Sequence, residues 1–272
     1  MPNLVVLSIP FLVLLVTFLF WYQTWFGRRL TDGEMTSYLA DATAPRKIQH
    51  ALSQLAEQIV HGDVSVKRWY PQIVALARNK EPELRLMAAW TMGQDNKSAE
   101  FHEALRKLVA DSEPMVRWNS ALALARFGDP AGRDELRFML RPFTVRAPGG
   151  GTITFRLKEQ DTVRSGSILA RINRENAEMI DIRSPLAGQI ERREVADGAR
   201  VARGDGVALV SPGEEQVWES LRALYLVGQP EDLEDVERCA REQPGMSERV
   251  RRQAAATAQA IRKRATQGKT AG

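Results

Sequence analysis

Two stretches of the chain, EPELRLMAAW from Glu81 and EPMVRWNSAL from Glu113, superpose thirty-two residues apart, aligning Pro82 with Pro114, Arg85 with Arg117, Ala89 with Ala121 and Met92 with Leu124. A repeat of that period leaves little choice of fold. Each copy reads as a helix with spaced apolar residues (YPQIVALARN, then FHEALRKLVAD), a short Pro-bearing turn and a second helix. One such pair has too little apolar surface to bury alone and covers it only by stacking on the next pair. The alanines of the second helix permit close approach. Arg85 and Arg117 are read as braces on the adjoining turns rather than as ligand-binding groups.

The helical signal extends in both directions. TDGE at residues 31–34 is a capping box, and Pro45 opens a helix carrying Ile48, Leu52, Leu55 and Ile59 that stops near Gly62. Far downstream, MSERVRRQAAATAQAI places Val250-Arg251 where the second copy has Val116-Arg117, with EDLEDVERCARE as its preceding helix and EEQVWESLRALYLVG as one more. The helical array is therefore interrupted and resumed. Across residues 65–141, and most clearly in DSEPMVRWNSALALARFGD, the pattern resembles the HEAT-repeat family, in particular its short bacterial type. That resemblance implies a helical solenoid used for binding other proteins.

The interruption has a different period. Between residues 146 and 211, short β-branched runs alternate with glycines and tight turns, as strands do. VRSGSILARI and VARGDGVALV repeat thirty-eight residues apart, and GGTI and AGQI open the two halves. Neither half can bury a core, so the two are expected to close on each other as a flattened barrel. Gly166, Gly188 and Gly204 are expected at turns with positive φ, and Gly149, Gly150 and Gly151 as a flexible hinge. IRSPLAGQIERREVADGARVARGDGVALV resembles the biotinyl/lipoyl family, whose barrel-sandwich hybrid fold is shared by carrier domains and membrane-fusion adaptors. In carriers the modified lysine lies eight residues before the proline that is Pro185 here, which is Ala177. No lysine lies between Lys158 and Lys263. The resemblance thus implies the fold without its prosthetic group, and no cofactor is expected.

At the N-terminus, residues 4–22 contain no charge, and fourteen of residues 4–20 are Leu, Val, Ile or Phe. Such a run reads as a helix crossing a bilayer core of about 30 Å, with Trp21, Tyr22, Trp25 and Phe26 as an interfacial belt. It lacks the basic start and small-residue cleavage site of a signal peptide, so an anchor is expected. Arg28, Arg29, Arg46 and Lys47 follow it, which puts the remainder on the cytoplasmic side. The expectation is a single-pass protein of the inner (cytoplasmic) membrane, contacting lipid through residues 4–26.

Little in the chain points to bond chemistry. Cys239 is the one cysteine, which excludes an intrachain disulfide and a cysteine metal cluster. His50, His61 and His102 stand at no metal-ligand spacing, and G-x-S-x-G, H-E-x-x-H and C-x-x-C are absent. No catalytic, cofactor-binding or metal-ligating residue is predicted, and the chain is expected to be non-enzymatic. After Glu248 there is no acid but seven cations, Arg249, Arg251, Arg252, Arg262, Lys263, Arg264 and Lys269. They point either to contact with anionic lipid or to a solvated helix face with Val250, Ala254, Ala258 and Ile261 turned inward. Nucleic acid is disfavoured, because no stacking aromatic lies among them.

The expected architecture is a multidomain α+β chain: a transmembrane anchor at residues 1–27, HEAT-like helices at 28–143, a barrel-sandwich domain at 144–212, a C-terminal helical segment at 213–266 and a flexible tail at 267–272. The expected function is that of a membrane-anchored adaptor, an accessory subunit of a membrane transporter or electron-transfer complex. Two alternatives stand beside it, each implied by a resemblance: an export adaptor with an extracytoplasmic barrel, and a bilin-lyase-like HEAT protein.

Overall fold

The computed structural model describes residues 12–18, 28–41, 43–174, 177–241 and 246–270, in two units, Met1–Gln94 and Asp95–Gly272. In the first unit, helix α1 (Asp32–Ala40) begins with the capping box: the Thr31 hydroxyl accepts from the Glu34 amide at 3.3 Å, and the Glu34 carboxylate accepts from the Thr31 amide at 2.9 Å. Helix α2 (Pro45–Val60) starts on its proline and buries Ile48, Leu52 and Leu55. Helices α3 (Tyr70–Leu76) and α4 (Pro82–Met92) follow. α4 packs on both α2 and α3, and its Leu84, Ala88, Ala89 and Met92 are buried.

The second unit opens with α5 (Ala99–Leu108) and α6 (Pro114–Arg126), which pack together, and continues with the short α7 (Arg133–Phe138). Eight strands then intervene before α8 (Glu214–Val227), α9 (Leu233–Ala240) and α10 (Glu248–Thr270). α8 packs on α6 and α7, and α10 on α8 and α9. The helices α7 and α8 are therefore the two members of one pair. The β module occupies the turn between them, where the pairs α3/α4 and α5/α6 have a few residues ending in proline.

The strands are β1 (Phe143–Arg146), β2 (Gly151–Phe155), β3 (Thr162–Val163), β4 (Ile168–Arg174), β5 (Ala177–Arg183), β6 (Gly188–Arg193), β7 (Arg200–Val201) and β8 (Gly206–Pro212). They form two antiparallel four-stranded sheets, ordered β1-β8-β6-β3 and β5-β4-β2-β7. Adding four to each strand of the first half, and subtracting four in the second, turns one sheet into the other. Each sheet therefore draws strands from both sequence halves, and neither half contains a complete sheet. β1 and β8 are neighbours, with Phe143 opposite Val210. The module's two ends thus emerge side by side, the geometry an insertion into a turn requires.

The glycines divide into two kinds. Gly166 and Gly204 have φ of +82° and +95°, and their amides donate to Ser184 O and Ala147 O at matching places in the two halves. Only glycine adopts that conformation without strain. Gly188 does not have positive φ, contrary to expectation; it pairs with Val163 of β3, and a Cβ there would stand 2.0 Å from Ser211 O of β8. Gly151 repeats the arrangement opposite Val201, with a Cβ 2.4 Å from Asn173 O of β4. Of residues 149–151, expected as a hinge, Gly151 lies in β2, while Gly149 and Gly150 lie between β1 and β2. Gly151 and Gly188 are set by close approach to a neighbouring carbonyl, and Gly151 also has φ of +149°.

The expected transmembrane helix is overturned. Among the described residues no helix is long and apolar enough to cross a membrane. The described helical piece of the apolar run is residues 12–18, about 10 Å of helix against a bilayer core of about 30 Å; the rest of residues 4–26 lies outside the described residues. The fold class is accordingly helices with two antiparallel sheets, without a spanning helix among the described residues, and the expected inner-membrane localisation, which rested on that helix, is not supported.

What closes the second unit across its insertion is a buried ionic cluster. The side chains of Asp232 and Asp235 are 0% and 1% exposed. Arg133 grips Asp232 with two bonds of 2.9 Å, and Arg141 grips Asp235 with two of 2.6 Å. Arg137 donates to Asp235 at 3.1 Å, and Arg238 joins Asp235 to Leu140 O, both at 3.1 Å. Burial pushes the Asp235 carboxyl upward, but the hydrogen bonds from Arg141 and Arg137 outweigh it, and the net shift is down. The carboxylate form is thus favoured by folding.

Two outcomes follow from these contacts. Asp235→Asn is expected to lower stability to urea at pH 7 by about 2–3 kcal/mol, below the full cost of orphaning a buried charge because the arginines reach solvent. With the folded pKa depressed, the wild-type advantage is full above the ordinary carboxylate value of about 4 and shrinks as pH falls below it. Gly188→Ala is expected to cost about 3 kcal/mol or more, since a backbone carbonyl cannot move aside as a side chain does; unfolding curves of the two variants check both values.

Candidate interaction surface

The repeated arginines have the same bonds in each copy. Arg85 Nη1 donates to Asn79 O at 2.9 Å and Lys80 O at 3.1 Å; Arg117 Nη1 donates to Asp111 O at 3.0 Å and Ser112 O at 3.1 Å. Arg251 reaches Met246 O at 3.4 Å in the last pair. Each guanidinium braces the turn preceding its own helix by satisfying carbonyls of the turn residues themselves. That use fixes the angle between the two helices of a pair.

With the turns fixed, the second helices α6, α8 and α10 lie side by side. Trp118 Nε1 of α6 donates to Ser220 Oγ of α8 at 2.9 Å, both buried, and Thr257 Oγ1 of α10 donates to Leu221 O of α8 at 2.8 Å. Arg264 of α10 binds Gly228 O at 2.9 Å and Tyr225 O at 2.6 Å, covering the carbonyl end of α8 where the helix dipole favours a cation. Val250, Ala254, Ala258 and Ile261 form the buried stripe of α10.

A groove of about 360 Å³ runs over these three helices. Leu122 and Ala125 of α6, Ala223 and Leu226 of α8, and Ala256 of α10 line it. Small residues keep the floor low. Tyr225 and Leu226 are 45% and 52% exposed, an apolar edge with no role in the core beneath. Arg126, Glu219, Arg222 and Gln253 form polar margins; Arg222 is held to Glu219 at 3.3 Å and stacks on the Trp218 ring, whose centroid is 4.6 Å from its guanidinium carbon. Apolar floor and polar rim are the makeup of a protein-binding surface.

The residues with reactive side chains are used otherwise. Burial pushes the Cys239 thiol up to about 11, so it is protonated at pH 7 and a poor nucleophile. His102 Nε2 lies 2.7 Å from an Asp129 oxygen while its ring stacks on Phe127 at 5.0 Å; His61 faces Glu57 at 3.9 Å. Among the described residues no group of three His, Cys, Asp or Glu is placed to hold a metal ion. Ala177 opens β5 opposite Arg174, at the tip of the β4–β5 hairpin. Of the C-terminal cations, Arg249, Arg252 and Arg262 pair with Glu215, Glu248 and Glu237, so much of that charge is balanced within the fold.

The groove contacts and the acid pair Asp232 and Asp235 were not found from sequence, though a signal exists. VRWNSALALARFGDP at residues 116–130 aligns with QVWESLRALYLVGQP at 216–230, one hundred residues on, matching Trp118 with Trp218, Ser120 with Ser220, Gly128 with Gly228 and Pro130 with Pro230. That offset identifies α8 as the counterpart of α6 and so locates the insertion.

Residues 70–147 match the family model for HEAT repeats, a span that runs from α3 into the start of the β module. No curated protein matches the chain. A double-mutant cycle of Trp118→Phe and Ser220→Ala in chemical denaturation is expected to give a coupling of about 1 kcal/mol, the worth of one buried hydrogen bond; additive losses would mean that α6 and α8 are held by packing alone.

Proposed function

We propose that this chain is a non-enzymatic adaptor that holds partner proteins on the groove of α6, α8 and α10, with the β module as a second docking element. The observation that carries the reading is the groove itself: a floor of alanines and leucines, a half-exposed Tyr225 and Leu226, and polar margins, all on a surface whose shape is set by bonds below it. Recognition is by shape, as on other stacked helical repeats. The match to HEAT repeats supports this class of function without naming a partner.

The β module is read as a barrel-sandwich hybrid that has lost its modifiable lysine. Its two interchangeable sheets support that reading, as does the placing of Ala177 at a hairpin tip. Its use is then as a rigid body, since no side chain there can form the carrier amide. An export-adaptor role has less support, because only two residues separate β4 from β5, where such adaptors have a long helical hairpin. A membrane complex is no longer favoured as the partner, its argument having been the spanning helix.

Leu226→Asp tests the proposal. The residue is half exposed, so stability is expected to change by no more than about 0.5 kcal/mol, while proteins crosslinked to and copurified with the wild-type chain are lost. Retention of the same partners by a folded Leu226→Asp chain would move the docking surface elsewhere.

A further inference from the structure

The first unit contains a cleft of about 880 Å³, at the upper end of the roughly 300–1,000 Å³ usual for small-ligand sites. One wall is the polar face of α2, where Arg46, Gln49, His50 and Gln54 recur at spacings of three and four and so point the same way. The segment leading into α1 also lines it, with Arg28 and Arg29.

That segment is held in place by one side chain. Gln54 Nε2 donates to Arg28 O at 2.8 Å, and Gln54 Oε1 accepts from the Leu30 amide at 2.9 Å. A carboxamide bonded to both a donor and an acceptor of the segment fixes its position on α2 and sets two consecutive guanidinium groups along the cleft. Arg28 is balanced by Glu34. Arg29 and Arg46 make no hydrogen bond or ion pair with another described residue, although Asp63 feels the charge of Arg29.

The lining is thus cationic, with Glu57 as its acid, itself 3.9 Å from His61. Glutamine amides add neutral donors. Burial holds the His50 imidazole below its ordinary value, so it is neutral at pH 7 and gains a proton more readily when an anion enters. Among the described residues that line the cleft, none is Phe, Tyr or Trp. Arginine forks match phosphate oxygens two at a time.

We propose that this cleft binds a compact polyanion, a diphosphate or triphosphate group of a soluble ligand, gripped by Arg29 and Arg46, which both line it. The site is independent of the groove of the second unit and does not rest on the adaptor reading.

Calorimetric titration of the full chain with inorganic pyrophosphate, at constant ionic strength, tests it. Saturable one-to-one binding is expected, weakened about tenfold by Arg29→Gln and by Arg46→Gln, each of which removes one charge-assisted pair. Both positions are exposed and bonded to no other described residue, so the variants are expected to fold, as circular dichroism checks. Arg203→Gln, which removes an equal charge from an exposed residue that does not line the cleft, is expected to change affinity less than about twofold, since a solvated charge outside the site is screened. No saturable binding, or equal losses in all three variants, overturns the proposal.

Discussion

Two buried carboxylates hold the second unit together across its interruption. The chain leaves α7, runs through eight strands and returns at α8; yet Asp232 and Asp235, at the start of α9, meet Arg133, Arg137 and Arg141 of α7 and the residues just beyond it. Those arginines recur every fourth residue and so form one stripe. Lengthening a loop adds only slowly to its closure cost, about 0.6 kcal/mol per doubling. A long insertion is therefore tolerated as long as its ends return to a fixed place, and the ionic cluster defines that place. Buried ion pairs are weak as net stabilisers but strong as selectors of one arrangement, because any other leaves a desolvated charge alone.

The β module meets the same condition from its own side. Its first and last strands pair with each other, so it enters and leaves at one point. Its two halves exchange strands, so it cannot form by halves. At each exchange a two-residue strand sets a valine opposite a glycine, and the missing side chain admits the carbonyl of the next strand. The duplication visible in the sequence is thus a requirement of closure: what one sheet needs at Gly188, the other needs at Gly151.

The bonds that shape the groove follow from this order of construction. Repeat arginines fix the turns, the ionic cluster fixes α9 against α7, and α6, α8 and α10 are then brought near enough for Trp118 to reach Ser220 and Thr257 to reach Leu221. The half-exposed Tyr225 and Leu226 lie over a floor that is already bonded beneath. On the proposed reading, a surface bonded beneath in this way lowers the ordering cost of association.

The sequence by itself determined the helical pairs, the bracing arginines, the capping box at Thr31 and the duplicated strands, because each is encoded within a few residues or by an exact spacing. It did not determine a spanning helix: apolar content was plain in residues 4–22, but the described helix there is residues 12–18. Only the tertiary structure decided that the β module occupies the turn within a helix pair, that Asp232 and Asp235 are buried, and that Gly151 and Gly188 answer to a neighbouring carbonyl. These depend on partners about twenty to a hundred residues away, and a solvated acid and a buried, clamped one are spelled alike until the chain has brought an arginine to meet it.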